Sequence, residues 1–299
     1  MNADAVVIFN PVAGRGLGER LAPRIEAGLG RLFPALVVLR TTEPGDAIRL
    51  AREWNRSGVV IAVGGDGTVR EVASGLVGGT AGMAIVPVGS GNDLLKTLET
   101  GTDIDAACRR ARHGRPRLID VVRVTVRDDS GERELFYVNA AAIGFDAAVV
   151  AETRKLRRLR GLPLYAVAVY RAVANLHCPM ARITADGRTW EQRILLTAVA
   201  NGKYYGGGMK IAPDAEPDDG LLEVCIIEKV SRLFVMRKLP AFVSGTHIRM
   251  KQVTMLRLNE FAIELLEPAL CQLDGDVLSD GGIASFRFEV LPRALTVLV

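Results

Sequence analysis

The 299-residue sequence predicts an α/β plus β protein, in which an N-terminal parallel-sheet α/β domain precedes a C-terminal antiparallel β-sandwich domain. Three observations carry that reading. The first third alternates apolar runs with helical periodicity, as repeated β-loop-α units do. Beyond about residue 118, strand-like runs separated by polar turns dominate. Glycine-rich turns follow three of the N-terminal strands, at the edge where parallel sheets hold their ligands.

Taken in order, Ala5 to Phe9 reads as a buried strand, followed by a glycine-rich turn over Asn10 to Gly18 and an amphipathic helix to about Leu32. Leu36 to Arg40 is the second strand and Asp46 to Asn55 a helix. Val59 to Val63 is the third strand, with a helix beginning at Val69. Met83 to Val88 is the fourth, with a turn at Gly89 to Gly91 and a helix from Asn92. Leu118 to Arg127 and Glu134 to Ala142 form a hairpin around Asp128-Asp129-Ser130-Gly131. A helical stretch covers Phe145 to Ala174, and strands follow over 181–185, 189–201, 221–228, 252–258, 261–266 and 285–290. The domains are expected at 1–120, with 290–299 returning to it, and at 121–289. With no flexible linker near 118–122, they should pack over a shared cleft.

Hydrophobic residues at 49% and charged residues at 24% exclude a disordered chain. A net charge of +4 with pI near 9.0 is too mild to call for nucleic acid. Cys108, Cys178, Cys225 and Cys271 are far apart, without CxxC or neighbouring His, and read as buried thiols in a reducing compartment. The absence of a basic start followed by an apolar run, and of a long apolar stretch, predicts a cytoplasmic protein, at most peripheral to a membrane. His113, His177 and His247 form no cluster, and a homodimer stays open.

Gly64-Gly65-Asp66-Gly67-Thr68 follows VVIAV and opens a helix. Successive glycines let backbone N–H groups converge on phosphate oxygens, and the helix start adds partial positive charge. Asp66 is out of place beside phosphate, so it should act through Mg²⁺ or orient a neighbour. One such turn fits an ordinary strand-to-helix connection equally well. With the turns at Asn10-Pro11 through Gly14-Arg15-Gly16 and at Gly89-Ser90-Gly91-Asn92-Asp93 on the same edge, the set points to a polyphosphate ligand. GxxxxGK[ST] does not occur, which excludes a P-loop, and Gly14-Arg15-Gly16-Leu17-Gly18 has no ribose-binding acid to make it a redox dinucleotide site.

The ordered set NPVAGRG, GGDGTVREV and PVGSGNDL resembles the diacylglycerol kinase catalytic domain family, which includes bacterial lipid kinases and sphingosine kinases. The likeness continues through Asn139 to Asp146, Asn201 to Gly208, Asp218 to Leu222 and Leu273 to Asp276. GGDGT alone would also suit NAD kinases and phosphofructokinases. The resemblance implies ATP in the cleft, with Asn10, Pro11, Gly14, Thr41, Gly64, Gly65, Asp66, Gly67, Thr68, Glu71, Ser90, Asn92 and Asp93 around it. A Mg²⁺ ion carried by ATP would meet Asp66 and Asp93. A second, structural Mg²⁺ would take the Asp219 carboxylate and backbone oxygens of Glu216 and Leu221; by residue type alone that loop is only a polar turn. The family's catalytic base is a glutamate in a DGE motif. Here it falls on Asp276, one methylene shorter, with Asp274 as fallback and Asp66 assisting.

On the acceptor side, Arg154 to Arg160 places five basic residues in seven before LPLYAVAVY, and Arg232 to Lys238 (RLFVMRK) repeats the combination. Each alone suits a solvated helix face; beside a lipid kinase they suit anionic headgroups. The expected activity is phosphoryl transfer from ATP to a lipid hydroxyl at a membrane surface. Two rivals stand: a soluble-substrate kinase of the NAD kinase kind, and an ATP-binding regulatory protein without turnover.

Overall fold

The computed structural model describes residues 4–56, 58–156, 161–278 and 282–299. β1 (Ala5–Phe9) is five apolar residues, all buried, as a central strand between two helix layers must be. β2 (Leu36–Arg40), β3 (Val59–Gly64) and β4 (Gly82–Pro87) join it in a parallel sheet of order β2-β1-β3-β4. Alternate residues of each strand face opposite layers. Val6, Ile8, Val60 and Ala62 meet α2 (Asp46–Glu53) and α3 (Asp66–Leu76) through Leu50 and Val72. Val7, Phe9, Ile61 and Val63 meet α1 (Ala13–Leu32) and α5 (Ile104–His113) through Ile25, Leu29 and Ala107. The short α4 (Asp93–Thr97) follows β4.

Two long strands, β5 (Pro116–Asp128) and β15 (Ser285–Leu298), pair antiparallel and tie the halves together. The end of β15 lies parallel to β4, Thr296 beside Gly82 and Val297 beside Met83. The second half then folds as β6 (Gly131–Tyr137), β7 (Ala140–Gly144), α6 (Phe145–Lys155), α7 (Gly161–Ala174), β8 (Met180–Ala185) and β9 (Arg188–Ala200). It continues with β10 (Leu222–Glu228), α8 (Arg232–Ser244), β11 (Val253–Leu258), β12 (Glu260–Leu265), β13 (Cys271–Leu273) and β14 (Asp276–Val277). One layer runs β6-β5-β15-β12-β8, the other β14-β13-β7-β9-β10-β11; β9 serves both, pairing β8 with its first half and β7 and β10 with its second. Between them lies an antiparallel sandwich core of Val122, Ile183, Val199, Phe261 and Phe288. The buried Tyr137 hydroxyl donates to the Val199 carbonyl at 3.0 Å, so the polar tip is satisfied inside that core.

The fold class is as the sequence predicts, with local differences. The strand expected over Glu134 to Ala142 breaks at Val138-Asn139, because these N–H groups turn to the Asp274 carboxylate instead of a ladder partner. The helical stretch 145–174 is two helices, and the Arg157 to Arg160 part of the basic run lies outside the described residues. The second basic stretch is a helix, α8, whose Ser231 side chain accepts the Phe234 N–H as its N-cap. The four cysteines are buried thiols. Among the described residues no helix is long and apolar enough to cross a membrane.

Candidate active site

The three glycine-rich turns meet at the C-terminal edge of β1, β3 and β4. They touch backbone to backbone: a Cβ on Gly89 would stand 2.5 Å from the Gly65 Cα, and one on Gly14, at φ +60°, 2.3 Å from the Val88 carbonyl oxygen. Side chains then lace the turns together. Asn10 Nδ2 donates to Thr68 Oγ1 at 2.9 Å, while Asn10 Oδ1 accepts the Val12 N–H at 3.1 Å. Asp66 accepts the Asn92 and Asp93 N–H groups at 2.8 and 2.7 Å, so its carboxylate joins the second turn to the third. Desolvation, with repulsion from Asp93, pushes the Asp66 carboxyl up to about 6.

The remaining residues expected at the nucleotide sit around this edge. Thr41 continues the sheet, its N–H donating to the Phe9 carbonyl at 2.9 Å. Glu71 accepts the Gly45 N–H at 3.1 Å and so holds the loop after Thr41 against α3. Pro11 lies in the first turn and the exposed Ser90 in the third, where Asn92, at φ 51°, donates its side-chain amide to the Gly89 carbonyl at 2.8 Å. Asp93 is buried, pairs with Lys96 at 2.9 Å and accepts the Gly207 N–H at 2.8 Å, reaching across to the second half of the chain.

Asp276 comes to this edge from β14. Its carboxylate lies over the first turn of α3, Oδ2 falling 2.7 Å from where a Cβ on Gly67 would be, and Arg70 Nη2 donates to the same oxygen at 3.0 Å. Asp274, two residues away, has other work. It accepts the N–H groups of Val138, Asn139 and Ala140 at 3.1, 3.2 and 2.8 Å, and burial pushes its carboxyl up to about 7. The tight turn at Asp274-Gly275, both at positive φ, is also held by Gln272, whose Oε1 accepts the Gly275 N–H at 2.7 Å. Gln272 Nε2 in turn donates to the buried Asp146 at 3.2 Å.

Glu216, Asp219 and Leu221 belong to a separate loop leading into β10. Asp219 is engaged by the Arg257 guanidinium and accepts the Leu221 N–H at 2.9 Å. Around it, Asp218 pairs with Arg117 at 2.9 Å and Glu216 with Lys203 at 3.0 Å, while buried Asp120 accepts the Gly220 and Arg293 N–H groups, both at 2.7 Å. Each of these carboxylates therefore has a cation or N–H partner. The Asp219 carboxylate expected at a Mg²⁺ ion is engaged here by the half-exposed Arg257 guanidinium, and among the described residues no group of three His, Cys, Asp or Glu is arranged to hold a metal. A concavity of about 650 Å³ on the outer face of the sandwich is lined by Arg123, Arg127, Arg182, Glu132, Glu134 and Glu264, which pair among themselves or with neighbouring acids. It holds none of the residues described above.

The profile of the diacylglycerol kinase catalytic domain matches residues 4–124, and that of the YegS C-terminal NAD kinase beta sandwich-like domain matches residues 139–299. The chain belongs to the diacylglycerol kinase catalytic domain family. It is 34% identical to a Chromohalobacter salexigens protein named "Probable lipid kinase YegS-like" over 91% of this chain and 88% of that one. It is 29% identical to a Mycobacterium tuberculosis protein named "Diacylglycerol kinase", covering 97% of this chain and 93% of that one. A crystal structure of a diacylglycerol kinase from Bacillus anthracis superposes over 100% of this chain and 97% of that one, with a TM-score of 0.69 at 22% identity. The yeast NADH kinase complexed with NADH shares the fold more distantly, with a TM-score of 0.53 at 10% identity over 98% of this chain and 82% of that one.

Arg70, Lys96 and Asn139 also contact this region and were not among the residues expected there from the sequence. Arg70 lay inside VREV, and its signal was a charged residue one turn after Asp66 on a helix face that must be buried. Asn139 opened its own motif; its amide donates to the Tyr204 carbonyl at 2.6 Å and so ties the 201–208 loop to the break between β6 and β7. Nothing local distinguishes Lys96 from a solvated lysine.

Proposed function

We propose that this protein transfers the γ-phosphate of Mg·ATP to the hydroxyl of a lipid, of the diacylglycerol, sphingoid or related lipid-alcohol class, at a membrane surface. One observation carries the reading: a carboxylate from the second half of the chain, Asp276, stands over the first turn of α3, directly beside the glycine turns. That supplies the two things phosphoryl transfer asks of a protein, a cradle for the phosphates and a group that orients or deprotonates the attacking hydroxyl. N–H groups of the turns at Asn10 to Gly14, Gly64 to Thr68 and Gly89 to Asn92 line the cradle, with Thr41 and Glu71 at its rim. In this reading Mg²⁺ arrives as part of the ATP complex. Asp66 and Asp93 are the carboxylates nearest its path, although each also holds backbone N–H groups. No role is assigned to a metal at Asp219.

The acceptor's class is supported by the named relatives and by α8. Leu233, Met236 and Val243 are exposed at 65%, 46% and 55%, and with Pro240 they form a single stripe at helical spacing. Exposed Arg232, Arg237 and Lys238 flank that stripe, a combination suited to an anionic bilayer. The deciding experiment follows label from γ-labelled ATP with Mg²⁺ into a panel of lipids in mixed micelles, with NAD in parallel. Labelled lipid that disappears with Asp276→Asn establishes the reading. Label in NAD, or none despite ATP binding, overturns it.

A further inference from the structure

Resting on the lipid kinase reading, we infer that Arg70 is a positioning residue for the transfer, clamping the Asp276 carboxylate over the start of α3. Arg70 lies on the buried side of α3, only 9% exposed, a costly place for a guanidinium without a task. Its carbonyl accepts the Ser74 hydroxyl at 2.7 Å, and that hydroxyl reaches the Phe136 carbonyl at 3.2 Å, so the helix turn that carries it is fixed to β6. Its Nη2 spans 206 residues of sequence to Asp276 Oδ2, while its Nε is buried with no partner. The cation is thus committed to one carboxylate instead of being shared out among several acceptors.

The surroundings explain why Asp276 needs a clamp. Burial holds Asp274 above the ordinary carboxylate range, with Asp66 adding to the shift and the Arg70 charge opposing it, while the direct partner of the guanidinium is Asp276. Asp276 sits on a two-residue strand, two residues from the buried Asp274, and Arg70 ties it to α3. The one-methylene-shorter side chain compounds the need, because an aspartate reaches fewer positions and must be brought to its place by the backbone. Gly67 leaves the room: any side chain there would occupy the space of the carboxylate. Gly67, Arg70 and Asp276 act as one unit, which joins the phosphate edge to the acceptor side. A guanidinium suits the role because it stays charged throughout.

The test uses the full-length protein with Arg70→Gln, Arg70→Lys, Asp276→Asn and the Arg70→Gln/Asp276→Asn double variant, assayed with Mg·ATP and whichever panel lipid the parent phosphorylates. Arg70→Gln should lower kcat by about tenfold or more in the parent background but less than about twofold in the Asp276→Asn background, since its effect passes through Asp276. ATP affinity measured by calorimetry should change less than about twofold, and Arg70→Lys should recover part of the loss. Hydrogen exchange over Cys271 to Val277 should quicken in Arg70→Gln and in no other segment. Losses that multiply in the double variant would overturn the inference, as would weakened ATP binding, because Arg70 would then act on phosphate directly. If the parent transfers no label to any lipid, the lipid kinase reading fails and exchange decides the clamp: quickened exchange at the hairpin upholds it, unchanged exchange removes it.

Discussion

The phosphate edge and the acceptor side of this site are built by opposite means. At the phosphate edge the working groups are backbone N–H groups, shaped by glycines that touch one another, and the links between its turns are shorter in span: Asp66 reaches 26 and 27 residues to Asn92 and Asp93, and Asn10 reaches 58 to Thr68. On the acceptor side the working group is a side chain, and its turn is tied to the rest of the fold by long contacts: Asp276 to Arg70 across 206 residues, and Asp274 to Val138, Asn139 and Ala140 across 134 to 136. A site made of backbone can be written locally, because glycine spacing and strand-to-helix turns determine where N–H groups point. A site made of a positioned carboxylate depends on partners that only the folded chain supplies.

The sharpest way to break this contrast is Asp274→Ala. It would strip the acceptor from three buried N–H groups, each unpaired donor costing about 1–3 kcal/mol, so denaturant unfolding should show a loss of at least about 3 kcal/mol. A loss under about 1 kcal/mol would mean that the hairpin does not depend on its distant anchor. Gly89→Ala attacks the other region. Its Cβ would press on the Gly65 backbone, and overpacking of this kind costs about 1–3 kcal/mol, with nucleotide affinity falling alongside. Asp274→Ala should damage the hairpin's exchange protection and Gly89→Ala should spare it.

A third experiment sharpens the comparison through pH. Burial pushes Asp146 up from 3.8 to about 7, so the folded protein keeps a proton that the unfolded chain has already released. That contribution is complete below the ordinary carboxylate pKa and is lost as pH rises through about 7. Asp274, also raised to about 7, and Asp66, raised to about 6, act in the same direction. Asp128, held near 2 chiefly by Arg133, titrates below this window. The melting temperature should therefore fall by several degrees between pH 5 and pH 8, and Asp146→Asn should flatten the slope. A rising profile would refute the assignment. The smallest effect concerns α8: Arg237→Ala and Lys238→Ala should each weaken co-sedimentation with anionic vesicles by about fivefold, an effect of about 1 kcal/mol that salt erases. Binding indifferent to both would remove α8 from the membrane reading.

Much of the phosphate edge was legible before any coordinates. The three turns and their common edge follow from apolar runs that lead into glycine-rich segments, whereas Thr41, Glu71 and the other single residues came from the family resemblance. Asp66 was legible as an anomaly, and of the roles open to it the structure supplies the orienting one, toward the third turn. The Asp219 loop was legible only as a polar turn, its oxygen ligands being implied by the resemblance, and the Arg257 guanidinium that meets Asp219 from β11 was not legible, because that pairing depends on the register of β11 against β10.

The sequence by itself therefore determined the α/β plus β architecture and the phosphate-facing backbone, since strand period, helix period and glycine turns are short-range properties of the chain. Only the tertiary structure decided that Asp274 anchors while Asp276 faces the site, that Arg70 is a buried clamp within a helix, and that α8 leaves an apolar stripe exposed. Asp274 and Asp276 share a hairpin and a residue type. What separates them is the set of N–H groups and the one guanidinium that folding brings to each, and contacts across more than 130 residues leave no periodic trace in the sequence.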